Sequence, residues 1–348
     1  MTLRFIVVGL DHRHVWDLVD GVLAAGAVCA GWWPESSDPR ITEGFRKRFP
    51  SLPEVADRAA LLADPTADFM VCAAVPCDRA GLAVEAMRHG KDVLMDKPGV
   101  TTEADLSLLQ RTVAETGRIF SICFSERFLV PATTVALRLV RDGAIGRVVQ
   151  TAGFGPHRLN RALRPDWFFD PVRYGGILAD IASHQIDQFL VFTGSDDARI
   201  VTSTIGLVSD PRLEPPAHDT FENFGEIVMR SNGAAGYCRV DWFTPDGLPT
   251  WGDGRLTVIG TEGSIELRKY VDIEGRPGTD HLFLADRTGT RYIDCAAEPI
   301  TYFDAFCADV RDRTETAMRQ SHVWTVCRLA LAAQSGADRV VLAGGLPA

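Results

Sequence analysis

Leu3-Arg4-Phe5-Ile6-Val7-Val8-Gly9-Leu10-Asp11-His12-Arg13-His14 decides how the first third of this chain is read. An apolar, β-branched run of strand length breaks at a glycine into a polar turn, and helical spacing resumes over Val15–Ala25. The same strand-then-helix alternation recurs downstream. Ala27–Trp32, Phe69–Val75 and Asp92–Met95 read as strands, and Arg79–His89 and Glu103–Glu115 as helices, the last opened by Thr102 as N-cap. Such alternation predicts a parallel sheet covered on both faces, the doubly wound dinucleotide-type arrangement.

Beyond residue 125 the texture changes. Arg147–Phe154, Ile200–Val208, Asn223–Arg230, Ala234–Phe243, Arg255–Ile259, Ser264–Lys269 and His281–Ala285 read as strands, several separated only by turns such as Gly260-Thr261-Glu262-Gly263. Two helices, Tyr302–Thr314 and Ser321–Ser335, follow, and Asp210–Asp219 with its three prolines reads as a surface loop. The expected fold is therefore an α/β Rossmann domain over 1–124 and an α+β domain over 125–348 with a large, mostly antiparallel sheet.

Bulk properties exclude several classes. At 348 residues, 46% hydrophobic and 24% charged, the chain is long enough for about two domains with ordinary cores. A net charge of -10 argues against nucleic acid, which needs clustered Lys and Arg. No run approaches the roughly 20 apolar residues of a membrane span. The N-terminus lacks the apolar core and cleavage site of a secretory signal. The eight cysteines (29, 72, 77, 123, 238, 295, 307 and 327) lack a CxxC pair and read as free thiols, so a cytoplasmic protein is expected.

Three segments carry chemistry. After the first strand only Gly9 of a GxGxxG fingerprint is present; Asp11 and His14 hold the other two glycine positions. A carboxylate there repels pyrophosphate unless it points away or is bonded to backbone amides. Asp11, His12 and His14 also admit a metal reading, but neighbouring loop side chains seldom converge on one ion, so no metal is expected. Glu35, beyond the second strand, is the acid placed for ribose hydroxyls or is a solvated charge; without a following arginine it leans towards NAD over NADP.

Asp96-Lys97-Pro98 follows the strand Asp92–Met95, placing Lys97 where parallel sheets bind ligands. The ordinary alternative is a surface lysine. In Tyr174–Asp187, α-helical spacing puts Asp180, His184 and Asp187 at i, i+4 and i+7 on one face, behind Gly175-Gly176. These are either functional or a structural Asp–His pair capping a core helix.

Together these residues resemble the Gfo/Idh/MocA family of oxidoreductases. Asp96-Lys97-Pro98 matches its Glu-Lys-Pro, and Gly175-Gly176, Asp180, His184 and Asp187 match its GGxxxDxxxHxxD. Arg127-Phe128, Gly143-Ala144-Ile145-Gly146 and Gly260–Gly263 are lesser matches in the same order. Two departures stand out: the glycine loop, and Val75-Pro76-Cys77-Asp78-Arg79-Ala80 where the family shows Thr-Pro-Asn-x-x-His.

The resemblance implies NAD or NADP, with Gly9, Leu10, Asp11, His12, Glu35, Ala74, Pro76, Asp96 and Lys97 along the cofactor. It implies a sugar-like substrate, with Lys97, Asp180 and His184 catalytic. Arg127, His157, Trp167 and Asp187 are the expected substrate contacts. The polar, aromatic stretch Gly155–Asp170, with Arg158 and Asn160, reads as a substrate-shaping loop or an ordinary surface loop. Trp251, Asp253 and His281 are weaker candidates. Expected partners are a small molecule and further copies of the chain, as homodimer or homotetramer. The leading expectation is hydride transfer between nicotinamide and a hydroxyl or keto compound. Two alternatives are a redox-neutral NAD-assisted lyase or glycosidase and a non-catalytic sugar or nucleotide sensor.

Overall fold

The structure, a computed structural model, describes residues 2–208 and 221–342; the stretch Asp210–Asp219 lies outside the described residues. Two sheets organise the chain. The first is built from β1 (Arg4–Leu10), β2 (Val28–Trp32), β3 (Phe69–Ala73), β4 (Asp92–Asp96) and β5 (Phe120–Cys123). Its order is β2-β1-β3-β4-β5, and every pairing is parallel. The sequence reading lacked β5, because four residues carry no periodicity. Helices α1 (His14–Ala24), α2 (Pro39–Arg48), α3 (Arg58–Ala63), α4 (Arg79–Arg88) and α5 (Glu103–Thr116) make the crossovers. Thr102 caps α5 as expected, accepting from Asp105 N at 3.1 Å. Strands β1, β3 and β4 are buried almost throughout, as a sheet covered on both faces requires.

The chain then runs through α6 (Ser125–Phe128) and α7 (Pro131–Arg141) into a nine-stranded sheet. Its strands are β6 (Val148–Pro156), β7 (Arg199–Val208), β8 (Phe224–Arg230), β9 (Ala235–Asp241), β10 (Arg255–Gly260), β11 (Gly263–Arg268), β12 (His281–Asp286), β13 (Gly289–Asp294) and β14 (Asp338–Leu342). Their order is β13-β12-β11-β10-β6-β9-β8-β7-β14. The expected hairpin is present, with Ile259 opposite Ser264. The sheet is mixed rather than purely antiparallel, since β6 pairs with β9 and β7 with β14 in parallel.

Between β6 and β7 lie α8 (Pro171–Tyr174), a π turn over Leu178–Ala182, and α9 (Ser183–Thr193), which packs against β6. The closing helices bind the two sheets together. On α10 (Tyr302–Asp312), Phe303, Phe306 and Val310 join Val7, Val15 and Leu18 in the core beside β1 and α1. A side chain at Gly21 would collide with Phe303 at 2.2 Å, so glycine there permits the contact. On α11 (Gln320–Ser335), Gln320 donates to Phe120 O at 2.9 Å and accepts from Phe120 N at 3.2 Å, pairing the edge strand β5 as another strand would.

Candidate active site

The carboxyl ends of β1, β3 and β4 meet the π turn and α9 in one buried region. Lys97 directly follows β4 and Asp180 lies in the π turn; Lys97 Nζ donates to Asp180 Oδ1 at 2.7 Å. Both residues are buried, at 6% and 8% exposure. The pair lines a small cavity together with His12, Pro76, Arg79, Trp167, Phe168 and Tyr174. A larger hollow of about 900 Å³ lies elsewhere, between Thr193–Arg199 and Arg230–Gly233, away from these groups.

The turn that carries Asp180 is set by two consecutive left-handed glycines, Gly175 (φ 93°) and Gly176 (φ 87°). A Cβ on Gly176 would strike Gln334 at 2.2 Å. Glu222 Oε2 accepts from Ile177 N at 2.8 Å and Gln334 Oε1 from Leu178 N at 2.9 Å, so the amides at the start of the turn are capped by side chains.

Five residues of wider winding alter the α-helical spacing of Asp180 from His184 and Asp187, which themselves stay three apart on α9. Asp187 is fully buried and accepts from Arg127 Nε and Nη2, both at 2.8 Å, and lies 2.7 Å from His322 Nε2. Arg127 and Asp187, both expected on the substrate, are thus given to each other and to α11. Of the weaker candidates, Asp253 pairs with Arg255 and Arg268, and His281 is buried against the Tyr292 hydroxyl; neither joins the cavity.

Beneath His184 lies a charged network that the sequence did not reveal. Lys269, fully buried, donates to Glu126 Oε2 at 2.6 Å and to Gln188 Oε1 at 2.8 Å. Gln185 Nε2 donates to the same Glu126 oxygen at 2.9 Å, and Gln188 Nε2 to the His184 carbonyl, also at 2.9 Å. Among the described residues, His184 Nδ1 and Glu126 Oε1 are buried without a hydrogen-bond partner.

The electrostatics follow from burial and pairing. Burial pushes His184 down to about 4, against the raising field of Glu126. It pushes His157, which stacks edge-on to Trp242 and Trp251, down to about 3. Both imidazoles are neutral at physiological pH. Burial opposes the charges of Asp180 and Glu126, but Lys97 and Lys269 outweigh it and hold these carboxyls below their usual range.

Around the first turn, Asp11 is drawn away from the cleft. Its Oδ1 accepts from Ser36 Oγ and Ser37 N, and its Oδ2 from Val75 N at 3.2 Å, tying together the loops after β1, β2 and β3. Gly9, at φ 87°, would place a Cβ 2.6 Å from that of Ala74, so only glycine allows this tight turn. The Asp11 and His12 amides donate to Ala73 O, leaving the Arg13 amide without such a bond among the described residues. Leu10 is fully buried in the core, and Glu35 sits in the loop that Ser36 and Ser37 anchor. A dinucleotide therefore fits over Gly9 and the start of α1, with fewer free amides than a glycine-rich loop gives.

His12 and His14 fold onto Asp96, at 3.4 and 2.9 Å, and their rings meet edge to face. Arg79, 1% exposed, donates to Asp96 Oδ2, Asp96 O, Pro98 O and Ala74 O at 2.7–3.0 Å. It clamps the turn that presents Lys97. The His12, His14 and Asp96 ligand atoms lie within 4.8 Å of one another, a metal-like spacing, but both Asp96 oxygens are already engaged. Arg79 occupies an unconstrained position of the family pattern, so the sequence carried no signal for it.

Comparison with known proteins supplies the class, then the family. Residues 37–124 match an oxidoreductase family with an NAD-binding Rossmann fold, and residues 134–266 match the GFO/IDH/MocA C-terminal domain. A solved chain from Erwinia carotovora atroseptica is 44% identical, covering 97% of this chain and 100% of that one at a TM-score of 0.92. The scyllo-inositol 2-dehydrogenase (NAD(+)) of Bacillus subtilis is 24% identical over 90% of this chain and 85% of its own. A levoglucosan dehydrogenase solved with NADH and levoglucosan shares the fold at 18% identity and a TM-score of 0.69, covering 98% of this chain and 91% of that one. The protein is an NAD(P)-binding oxidoreductase. The chain belongs to the Gfo/Idh/MocA family.

Proposed function

We propose that the protein is an NAD(P)-dependent dehydrogenase or reductase acting on a secondary alcohol or ketone of a sugar, polyol or related compound. The observation that carries this reading is the buried Lys97–Asp180 pair at the carboxyl end of β4, with a neutral, buried His184 in the field of Lys97. Bound nicotinamide supplies the hydride acceptor or donor. Gly9, the Arg13 amide, Pro76 and Lys97 would hold that cofactor. Lys97 brings a fixed positive charge to the substrate oxygen, where alkoxide character develops; such preorganised stabilisation is worth about 3–4 kcal/mol. Neutral His184 takes the hydroxyl proton or returns it, and Asp180 holds the Lys97 ammonium in place. Trp167 lines the cavity, and His157 lies in the field of Lys97 and Asp180, which supports both as substrate neighbours.

The inositol and levoglucosan dehydrogenases among the similar proteins support a sugar-like substrate. In this reading residues 1–124 hold the cofactor and 125–348 the substrate, with α10 folding back onto the first sheet. The large hydrophobics Val201, Ile259, Tyr292 and Val341 are exposed on the second sheet, which favours a homodimer or homotetramer. The test is titration of NADH against NADPH, followed by a polyol and sugar-acid panel read by nicotinamide absorbance. Binding of one cofactor, with NADH favoured, and turnover of a panel member are expected. Binding of neither would overturn the reading.

A further inference from the structure

Three cations around the cavity meet carboxylates. Lys97 meets Asp180, Arg79 meets Asp96, and Lys269 meets Glu126. Arg164 meets no carboxylate within 4.0 Å among the described residues. Its Nε donates to Leu159 O at 2.9 Å and its Nη2 to Arg158 O at 3.3 Å, while Nη1 has no protein partner among the described residues. The guanidinium lies 4.4 Å over the Phe168 ring and 5.2 Å from that of Trp242. Phe168 lines the same cavity as Lys97 and Asp180. Burial lowers Arg164 to about 10, with Asp180 as the carboxylate in its field and Arg13 as the like charge.

The strap that carries Arg164 is fixed in place. Arg40 of α2 donates to Ala162 O and Leu163 O at 3.3 and 3.2 Å, and Arg158 donates to the carbonyls of Pro245 and Leu248. Arg161 on the same strap stacks on Phe169 at 4.6 Å, and its Nη1 is buried without a partner among the described residues. A cation held against aromatic faces, with a donor left over and no carboxylate in contact among the described residues, is costly unless a ligand supplies the missing charge.

We propose that Arg164 anchors a subsite for a carboxylate or phosphate carried by the substrate, so that the substrate is an acidic sugar or polyol derivative. The planar fork of a guanidinium matches such oxyanions and discriminates against neutral polyols. Placement assigns the group to the substrate rather than the cofactor: Arg164 rests on the ring that faces Lys97 and Asp180, whereas the start of α1 has its own exposed cation in Arg13. The proposal rests on the dehydrogenase reading given above.

Calorimetric titration of gluconate, glucose 6-phosphate and sorbitol tests it, on wild type, Arg164→Gln and Arg164→Lys of matching far-UV spectrum, with NADH titrated in parallel. Wild type is expected to bind at least one acidic probe more tightly than sorbitol. Arg164→Gln should weaken that probe about 10- to 100-fold relative to sorbitol, and Arg164→Lys less. A merely structural role would weaken acidic and neutral probes alike. Equal weakening, loss of NADH affinity alone, or no acidic preference in wild type overturns the proposal. Failure of the dehydrogenase reading shows separately, as absent cofactor binding and no nicotinamide absorbance change.

Discussion

Replacing Glu126 by glutamine should destabilise the protein more than any surface ion-pair deletion. Glu126 is 1% exposed and Lys269 fully buried, and the pair is closed at 2.6 Å. The substitution keeps the shape but leaves the Lys269 ammonium in a low-dielectric interior with only Gln188 Oε1 and a neutral amide for company. Removing one member of a buried pair costs about 3–5 kcal/mol. With an unfolding entropy of about 2.1 cal/mol/K per residue, 348 residues convert that into a fall of roughly 4–7 °C in melting temperature. Glu126→Gln/Lys269→Met, which removes both charges, should recover at least half of the loss. Scanning calorimetry of the three proteins decides the matter. A single variant melting within about 1 °C of wild type, or a double variant worse than the single, refutes the reasoning. The Glu126 carboxyl is held below its usual range, so its contribution is present above the unfolded value and is lost as pH falls through the folded one.

Other consequences are as direct. Gly9→Ala combines a left-handed φ of 87° with a contact of 2.6 Å to Ala74; a loss of about 2–5 kcal/mol in denaturant unfolding and weaker NADH binding are expected. Arg79→Lys loses the fork that grips Asp96 and Pro98, so Lys97 shifts; turnover should fall by about 100-fold in steady-state assays. Because His184 is pushed from 6.5 down to about 4, it is neutral above pH 6, and the acid limb of kcat/KM should lie below 6.5. The unfolded chain takes up protons that the folded cleft refuses, so stability is full above 6.5 and declines as pH falls towards 4, as urea melts at pH 8 and pH 5 will show.

The strand–helix alternation of the first third was legible because covered parallel strands are continuously apolar, and β1, β3 and β4 are buried almost throughout. Lys97 was legible from its place after a strand, and Asp180 and His184 from an intact motif. What pattern alone missed depends on long-range meetings. Glu126 sits in a four-residue helix and acquires its partner 143 positions away. Arg164 reads as one more polar loop residue until its neighbours are found to be Phe168 and Trp242. Asp187 was misplaced because helical spacing does not show its distant partners Arg127 and His322. Asp11 satisfies the condition its sequence position imposed: it points away and is bonded to the backbone amides of Ser37 and Val75.

The central claim is that Lys97, Asp180 and His184 do the proton and charge work of hydride transfer. Its most direct test is the steady-state rate of nicotinamide absorbance change for Lys97→Met and His184→Ala, measured beside the NADH dissociation constant of each. The account predicts that each rate falls by about 100-fold or more while NADH affinity changes by less than about tenfold. Near-wild-type turnover in both variants would contradict it.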